Sequence, residues 1–414
     1  MLLEILFIMS EKTKLLYIGD GVTPTGFSRV SHGILSNLPK DAYDIHHLAI
    51  NYSGDPHPFD YKIYPAVLST MRNADVLGLS RLPYMVNTIE PDVIFILQDV
   101  WNIALYLDRL KKIYEVIKKK LPKIVVYFPV DGQELNPHWF KDFDVVTKTV
   151  AYTKFGKSEI LKAAPDIFVD IIPHGVDTKT FYRMSGDKVA VRKAFFKSVN
   201  SKIDPNAFIV LNANRNQPRK NLDLSLGGFA LFAKEHKDAY YYHHAGLKDS
   251  GWDILSLIDS LSKEHGFDLG ARIILSNKEI QIQQVPDSVL NVYYNIASVG
   301  LNTSSGEGWG LTNVENAVVG VPQVVPNHSV SQEVLGESAL YVDTVLQRRD
   351  LTTLLTREYV SQAGIAEALN ILYNNQDIYD KMSRAGIQRF TSDMYQWSVI
   401  GLQWHLLIQE ALSL

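Results

Sequence analysis

Short, almost wholly apolar runs alternate with amphipathic stretches along nearly the whole chain. In the first half the strand candidates are Lys14–Ile18, Asp44–Leu48, Val93–Leu97, Lys123–Phe128, Thr149–Tyr152 and Val169–Ile172. Helical spacing marks Phe27–Asn37, Ala104–Lys119 and Lys154–Lys162 between them. A run such as Ile124-Val125-Val126-Tyr127-Phe128 has no polar face, so both of its sides must be covered. Apolar strands separated by helices predict a parallel sheet with helices on both faces.

A charged, mixed stretch from Thr178 to Pro205 breaks this rhythm and holds one helical pattern, Lys188–Ser198. A second series follows, with strands at Phe208–Asn212, Ala239–His244, Arg272–Leu275, Val299–Thr303 and Gln323–Val325. Its helices are expected at Leu222–His236, Trp252–His265, Val314–Val319 and Gln332–Leu335, and from Tyr359 onward the pattern is mostly helical. The pattern predicts an α/β chain of two Rossmann-like, doubly wound domains, residues 1–180 and 205–392, joined by a linker at 181–204. Ligands in such folds sit beyond the carboxyl ends of the strands, which here means a central cleft between the domains.

Composition narrows the function classes. A net charge of −4 over 414 residues argues against a general nucleic-acid binder. With no Cys, disulfides, thiolate metal sites and a thiol nucleophile are excluded. The apolar run Met1–Met9 is too short to span a bilayer and lacks the flanks of a signal peptide, so an extra strand or helical turn is expected there. A soluble, cytoplasmic protein without an integral membrane segment is the expectation. His243 and His244 are adjacent on a strand and point to opposite faces, and no metal-ligand spacing occurs, so no metal site is assigned.

The chemistry concentrates in Ser305-Gly306-Glu307-Gly308-Trp309-Gly310-Leu311-Thr312-Asn313-Val314-Glu315. Three glycines crowd around Glu307, which suits close approach of backbone to a ligand, and a helix N-terminus follows to receive an anion. Thr312-x-x-Glu315 also matches a capping box, in which Glu315 would serve only the helix start. Asn214-Arg215-Asn216-Gln217-Pro218-Arg219-Lys220-Asn221 lies between an apolar strand and a helix, where Arg215 and Lys220 together suit a pyrophosphate. Gly19–Phe27 is a glycine-bearing strand-to-helix turn around Gly26, without the G-x-G-x-x-G spacing. Asp131 ends a strand, either facing the cleft or capping the next segment, and His174 sits in a turn near the domain junction, where it serves the hinge or touches ligand.

These segments together resemble a glycosyltransferase of the GT-B fold, in particular family four of the retaining enzymes. Glu307-Gly308-Trp309-Gly310-Leu311, Glu315 eight positions on, Gly320-Val321-Pro322, Arg215 with Lys220, and Pro173-His174-Gly175-Val176-Asp177 all match its motifs. The resemblance implies that Glu307 binds the transferred sugar and Glu315 the ribose diol. It implies that backbone around Gly308, Trp309, Gly310, Leu311 and Thr312 holds the diphosphate, with Arg215 and Lys220 stabilising its charge and Gly26 letting the first loop close. It implies a C-terminal helix, about 393–414, crossing back onto the first domain. Two positions depart from the family: Asp131 stands where it usually has His, and Thr25-Gly26 replaces a Gly-Gly.

The implied reaction moves a hexose from a nucleoside diphosphate sugar to a glycan or other hydroxyl acceptor, with retention and without a metal or other cofactor. GDP-mannose is slightly favoured as donor over UDP-sugars, and the base is expected near Ser276, Asn277 and Lys278. A GT-B epimerase or phosphorylase, or a non-catalytic nucleotide-sugar-binding protein, are the alternatives. Acceptor identity is not legible.

Overall fold

The computed structural model describes residues 11–67, 75–276 and 285–414. The Met1–Met9 segment and the expected base-binding residues Asn277 and Lys278 lie outside the described residues. The first domain contains β1 (Thr13–Asp20), α1 (Gly26–Leu35), β2 (Tyr43–Ile50), β3 (Lys62–Pro65), α2 (Leu82–Ile89), β4 (Val93–Leu97), α3 (Val100–Ile117), β5 (Lys123–Phe128), β6 (Lys148–Ala151), α4 (Lys154–Ala163) and β7 (Val169–Ile171). Its seven strands run parallel in the order β3-β2-β1-β4-β5-β6-β7. Every residue of β4 is buried, as its unbroken Val-Ile-Phe-Ile-Leu run requires. The order reverses between β1 and β4, so the loops after these strands splay apart and open a crevice.

The connecting helix α5 (Lys188–Ser198) follows the expected span. It is no loose connector. Arg192 is buried and donates to the carbonyls of Ile296 (2.7 Å) and Ala207 (2.8 Å) and to Ser298 Oγ (2.7 Å), which fixes α5 to the second domain. That domain runs β8 (Phe208–Asn212), α6 (Leu222–Glu235), β9 (Ala239–His243), α7 (Ile254–His265), β10 (Ile273–Leu275), α8 (Asp287–Ile296), β11 (Val299–Leu301), α9 (Leu311–Val318), β12 (Gln323–Pro326), α10 (Ser331–Leu335) and β13 (Ala339–Val342). Its six strands are parallel in the order β10-β9-β8-β11-β12-β13, with the reversal between β8 and β11.

An antiparallel hairpin, β14 (Thr344–Arg349) and β15 (Thr356–Val360), was not anticipated in the charged Asp343–Tyr359 stretch. It reaches across to the first domain. Gln133 and Thr356 exchange both backbone hydrogen bonds, at 3.2 and 3.0 Å, and Leu355 is buried in the first-domain core. Helices α11 (Gln362–Asn374), α12 (Gln376–Phe390) and α13 (Trp397–Ser413) complete the chain. Helix α13 lies on the first domain, with the fully buried Trp404 ring 4.6 Å from Phe95 and 4.7 Å from Tyr127. Close contact between α1 and α13 needs glycine: a Cβ at Gly401 would lie 2.3 Å from the Asn37 carbonyl oxygen. One apolar cluster therefore runs from Tyr17, Phe95 and Tyr127 through Trp309 and Tyr395 to Ile209 and Val325 of the second sheet.

Candidate active site

The site grows from the switch point of the second sheet. Beyond β8 the chain turns through Asn214–Asn221, and beyond β11 it runs through four buried polar residues, Asn302, Thr303, Ser304 and Ser305. The two loops are stitched together. Thr303 Oγ1 donates to the Lys220 carbonyl (2.9 Å), Asn221 Nδ2 donates to the Thr303 carbonyl (3.1 Å), and the Ser305 N–H donates to the Arg219 carbonyl (2.8 Å). Asn221 adopts φ +48°, a left-handed conformation that Asn tolerates, and this turns the chain into α6.

The stitching places Lys220 against Glu307. Lys220 Nζ forms an ion pair with Glu307 Oε1 and donates to Asn214 Oδ1 at 3.1 Å. Asn302 Nδ2 donates to the same Glu307 oxygen at 3.1 Å. The second cation at this pair is Arg219, whose Nη1 is 3.6 Å from Glu307 Oε2 and donates to the Gly306 carbonyl at 2.9 Å. Arg215, paired with Lys220 in the sequence expectation, is half-exposed and binds Asp249 instead, at 2.7 and 3.3 Å. The structure thus brings Lys220 and Glu307 together and leaves Arg215 outside that contact.

Charges in the pair are tuned by burial and by each other. Burial opposes ionisation of Glu307, yet Lys220 and Arg219 overcome it and hold the carboxyl down at about 2. Burial lowers Lys220 to about 8 despite Glu307, and Arg219 pushes it the same way. An ammonium so placed is poorly hydrated and interacts strongly with any further anion.

Helix α9 begins beside this pair, three residues earlier than its apolar pattern predicts. Gly310 supplies the left-handed turn before it, with φ +85° and no side-chain cap. The N–H groups of Leu311 and Thr312 have no acceptor among the described residues, and Thr312 Oγ1 is 3.4 Å from Asn214 Oδ1. The start of α1 faces them from the first domain: a Cβ on Gly26 would lie 3.3 Å from Leu311 Cδ1. Two helix N-termini with their partial positive charges therefore converge here.

Gly306 and Gly308 also permit close contact between the domains. A Cβ on Gly306 would lie 1.8 Å from the Asp131 carbonyl oxygen, and one on Gly308 would lie 2.7 Å from Pro129 Cβ. They let the Glu307 loop press against the first domain. Trp309 is buried between the domains, edge-on to His174 at 5.1 Å. His174 in turn bonds Tyr127 OH at 2.9 Å, and burial lowers its pKa to about 3, so it is a neutral packing group at the domain junction.

Glu315 does not cap α9. Its carboxylate is buried, accepts from Tyr294 OH (2.8 Å) and lies 2.9 Å from Arg29 of α1, which also pairs with Asp287 at 2.7 Å. The capping-box alternative fails because α9 starts at Leu311, which puts Thr312 inside the helix. Asp131 faces the cleft, 2.9 Å from Arg357 of β15 and 3.9 Å from Arg219. Ser276 follows β10 and bonds His244 Nδ1 at 2.8 Å. His243 points inward beside Tyr241, so the two adjacent histidines diverge as alternation requires.

Arg219, Asn302, Arg29 and Arg357 were not singled out from the sequence. The polar run 302–305 directly after a buried strand was a usable signal for Asn302. Nothing local distinguishes Arg357 or Arg29, whose partners are more than two hundred positions away.

Residues 194–389 match the family described as glycosyl transferases group 1. Mannosylfructose-phosphate synthase from Agrobacterium fabrum (strain C58) is 23% identical over 243 residues, 58% of this chain and 47% of that protein. The chain thus matches about half the length of this curated relative. Among solved structures, sucrose-phosphate synthase from Thermosynechococcus elongatus superposes with a TM-score of 0.69 at 14% identity, covering 97% of this chain and 100% of the other. A glycosyltransferase from Rickettsia africae gives a TM-score of 0.68 at 13% identity, covering 97% and 99%.

Proposed function

We propose that this chain, a GT-B glycosyltransferase whose residues 194–389 form a group 1 transferase domain, moves a hexose from a nucleoside diphosphate sugar to a hydroxyl acceptor with retention of configuration. One observation carries the reading. The buried Lys220–Glu307 pair stands beside the N–H groups of Leu311 and Thr312, which are unpaired among the described residues, at the switch point of the second sheet.

Expelling a nucleoside diphosphate builds negative charge on its phosphate oxygens, so the barrier falls where fixed positive charge awaits them. Lys220, Arg219 and the start of α9 supply that charge, and Arg215 joins them if it leaves Asp249 when the donor binds. Glu307, kept ionised, accepts hydrogen bonds from hydroxyls of the transferred sugar. Glu315 takes the ribose diol once Arg29 yields it. Attack comes from the face that the leaving group departs, and the departing phosphate oxygen takes the acceptor proton. Domain closure excludes water and so limits hydrolysis.

GDP-mannose is the first donor to try, followed by UDP-sugars. The name of the curated relative agrees with a mannosyl donor but rests on a partial match. Thermal unfolding against both series ranks them: a ligand at ~100 times its dissociation constant adds about 2.7 kcal/mol of stability. The anomeric configuration of the product, read by NMR, tests retention. No shift with any nucleotide sugar, and no nucleoside diphosphate released, would remove this reading.

A further inference from the structure

Three carboxylates stand along the carboxyl edge of the first sheet, Asp20 at the end of β1, Asp99 after β4 and Asp131 after β5. Two of them are satisfied. Asp20 accepts from Thr25 Oγ1 (2.6 Å), Gln98 Nε2 (3.2 Å) and Asn51 Nδ2 (3.4 Å). Asp131 is held by Arg357 and lies near Arg219. The carboxylate of Asp99 has no hydrogen-bond partner among the described residues.

Its position makes this unusual. Asp99 is the N-cap of α3, where an Asp side chain ordinarily accepts from the second or third helical N–H. Here the backbone takes the capping geometry, with φ −59° and ψ 143°, but the side chain makes no such bond. The Asp99 carbonyl alone receives the Asn102 and Ile103 N–H groups, at 2.9 and 3.0 Å. Burial, and after it Asp131, lift the Asp99 pKa to about 7, while Arg219 and Arg357 act against this. Of these neighbours Arg219 also lies 3.6 Å from Glu307 and Arg357 lies 2.9 Å from Asp131, which puts Asp99 toward the cleft. Asp99 itself is only partly buried, and close by Arg357 is 4% exposed with an Nε that has no partner among the described residues.

We propose that Asp99 receives the acceptor, its carboxylate accepting the hydrogen bond of the hydroxyl that attacks the donor sugar. The proposal rests on the transferase reading above. The new bond joins the acceptor oxygen to the anomeric carbon, and the bond from that carbon to the phosphate oxygen breaks. The electron pair leaves with the diphosphate, and the hydroxyl proton, released from its hydrogen bond to Asp99 as the new bond forms, goes to the departing phosphate oxygen, so Asp99 ends the step as it began it. The carboxylate of Asp99 favours hydrogen-bond donors and disfavours anions. The acceptor therefore presents a neutral polyhydroxyl end here, a sugar or polyol, and any phosphate or carboxylate it carries points elsewhere.

The test compares wild type with Asp99→Asn and Asp99→Glu, using the nucleotide sugar that gives the largest thermal shift. Nucleoside diphosphate release is followed in buffer alone and with a panel of neutral monosaccharides, disaccharides, glycerol and sugar phosphates. For the compound that most stimulates wild type, Asp99→Asn is expected to lower kcat/KM for the acceptor by about 10- to 100-fold, the scale of one hydrogen bond to a charged group. The donor-induced thermal shift should stay at the wild-type level, and Asp99→Glu should recover part of the loss. Acceptor kinetics within about threefold of wild type would overturn the proposal, and so would an equal loss of the donor-induced thermal shift. A wild type that binds no donor, or that no compound stimulates, would instead sink the transferase reading, and the proposal with it.

Discussion

Arg29 of the first domain lies 2.9 Å from Glu315 of the second, in the seat proposed for the donor ribose. Burial raises the Glu315 pKa, and Arg29 and then Tyr294 counter it, so the ion pair compensates a buried carboxylate while joining the domains. On that proposal the donor competes with Arg29 for this group. Replacing Arg29 by Ala is expected to loosen the ligand-free arrangement, seen as a larger radius of gyration in solution scattering. Glu315→Ala is expected to weaken binding of the nucleoside diphosphate even without an attached sugar, measurable by calorimetry.

Lys220→Ala should lower kcat by about 10²–10³-fold, the usual cost of removing one preorganised electrostatic contact. It should also destabilise the fold by about 3–5 kcal/mol, because Glu307 is left buried without its partner. Adding Glu307→Gln should return part of the melting temperature and none of the turnover. A double variant as active as wild type would contradict the assigned role.

Turnover should depend on pH through this pair. Lys220 sits at about 8, so kcat/KM for the donor should fall as pH rises through that value and the ammonium is lost. Lys220→Arg, which stays charged, should move this limb to higher pH. Stability follows the other partner. Glu307 is depressed from 4.5 to about 2, so its contribution is complete above pH 4.5 and is lost as pH falls toward 2. Turnover profiles and urea melts across pH report the two effects separately.

Gly306→Ala cannot keep the present contact, since its Cβ would lie 1.8 Å from the Asp131 carbonyl oxygen. The domains should separate slightly, with a larger radius of gyration and lower turnover, while far-UV circular dichroism is unchanged. Gly26→Ala meets only the end of a Leu side chain at 3.3 Å and should be far milder.

Trp404→Ala should cost about 3–5 kcal/mol, the range for deleting a fully buried aromatic side chain. Because Trp404 packs on Phe95 and Tyr127, the loss should appear as an earlier unfolding transition of the first domain by calorimetry.

The alternation of apolar strands and helices by itself determined two parallel sheets, because a strand without a polar face must be covered on both sides. Residue types informative within a few positions of one another marked Lys220 and Glu307, while α9 starts three residues before the span its apolar pattern predicts. Weakly apolar or short elements escaped the alternation: β3, β13 and the hairpin β14–β15 owe their form to neighbouring strands. Only the tertiary structure decided which arginine stands at Glu307, since Arg215 and Arg219 are equally basic and one turn of backbone selects between them. It likewise decided that Gly306 and Gly308 serve domain contact, that Glu315 meets Arg29, and that Arg357 reaches Asp131. Such pairings join residues hundreds of positions apart, and local pattern carries no record of which distant surfaces will meet.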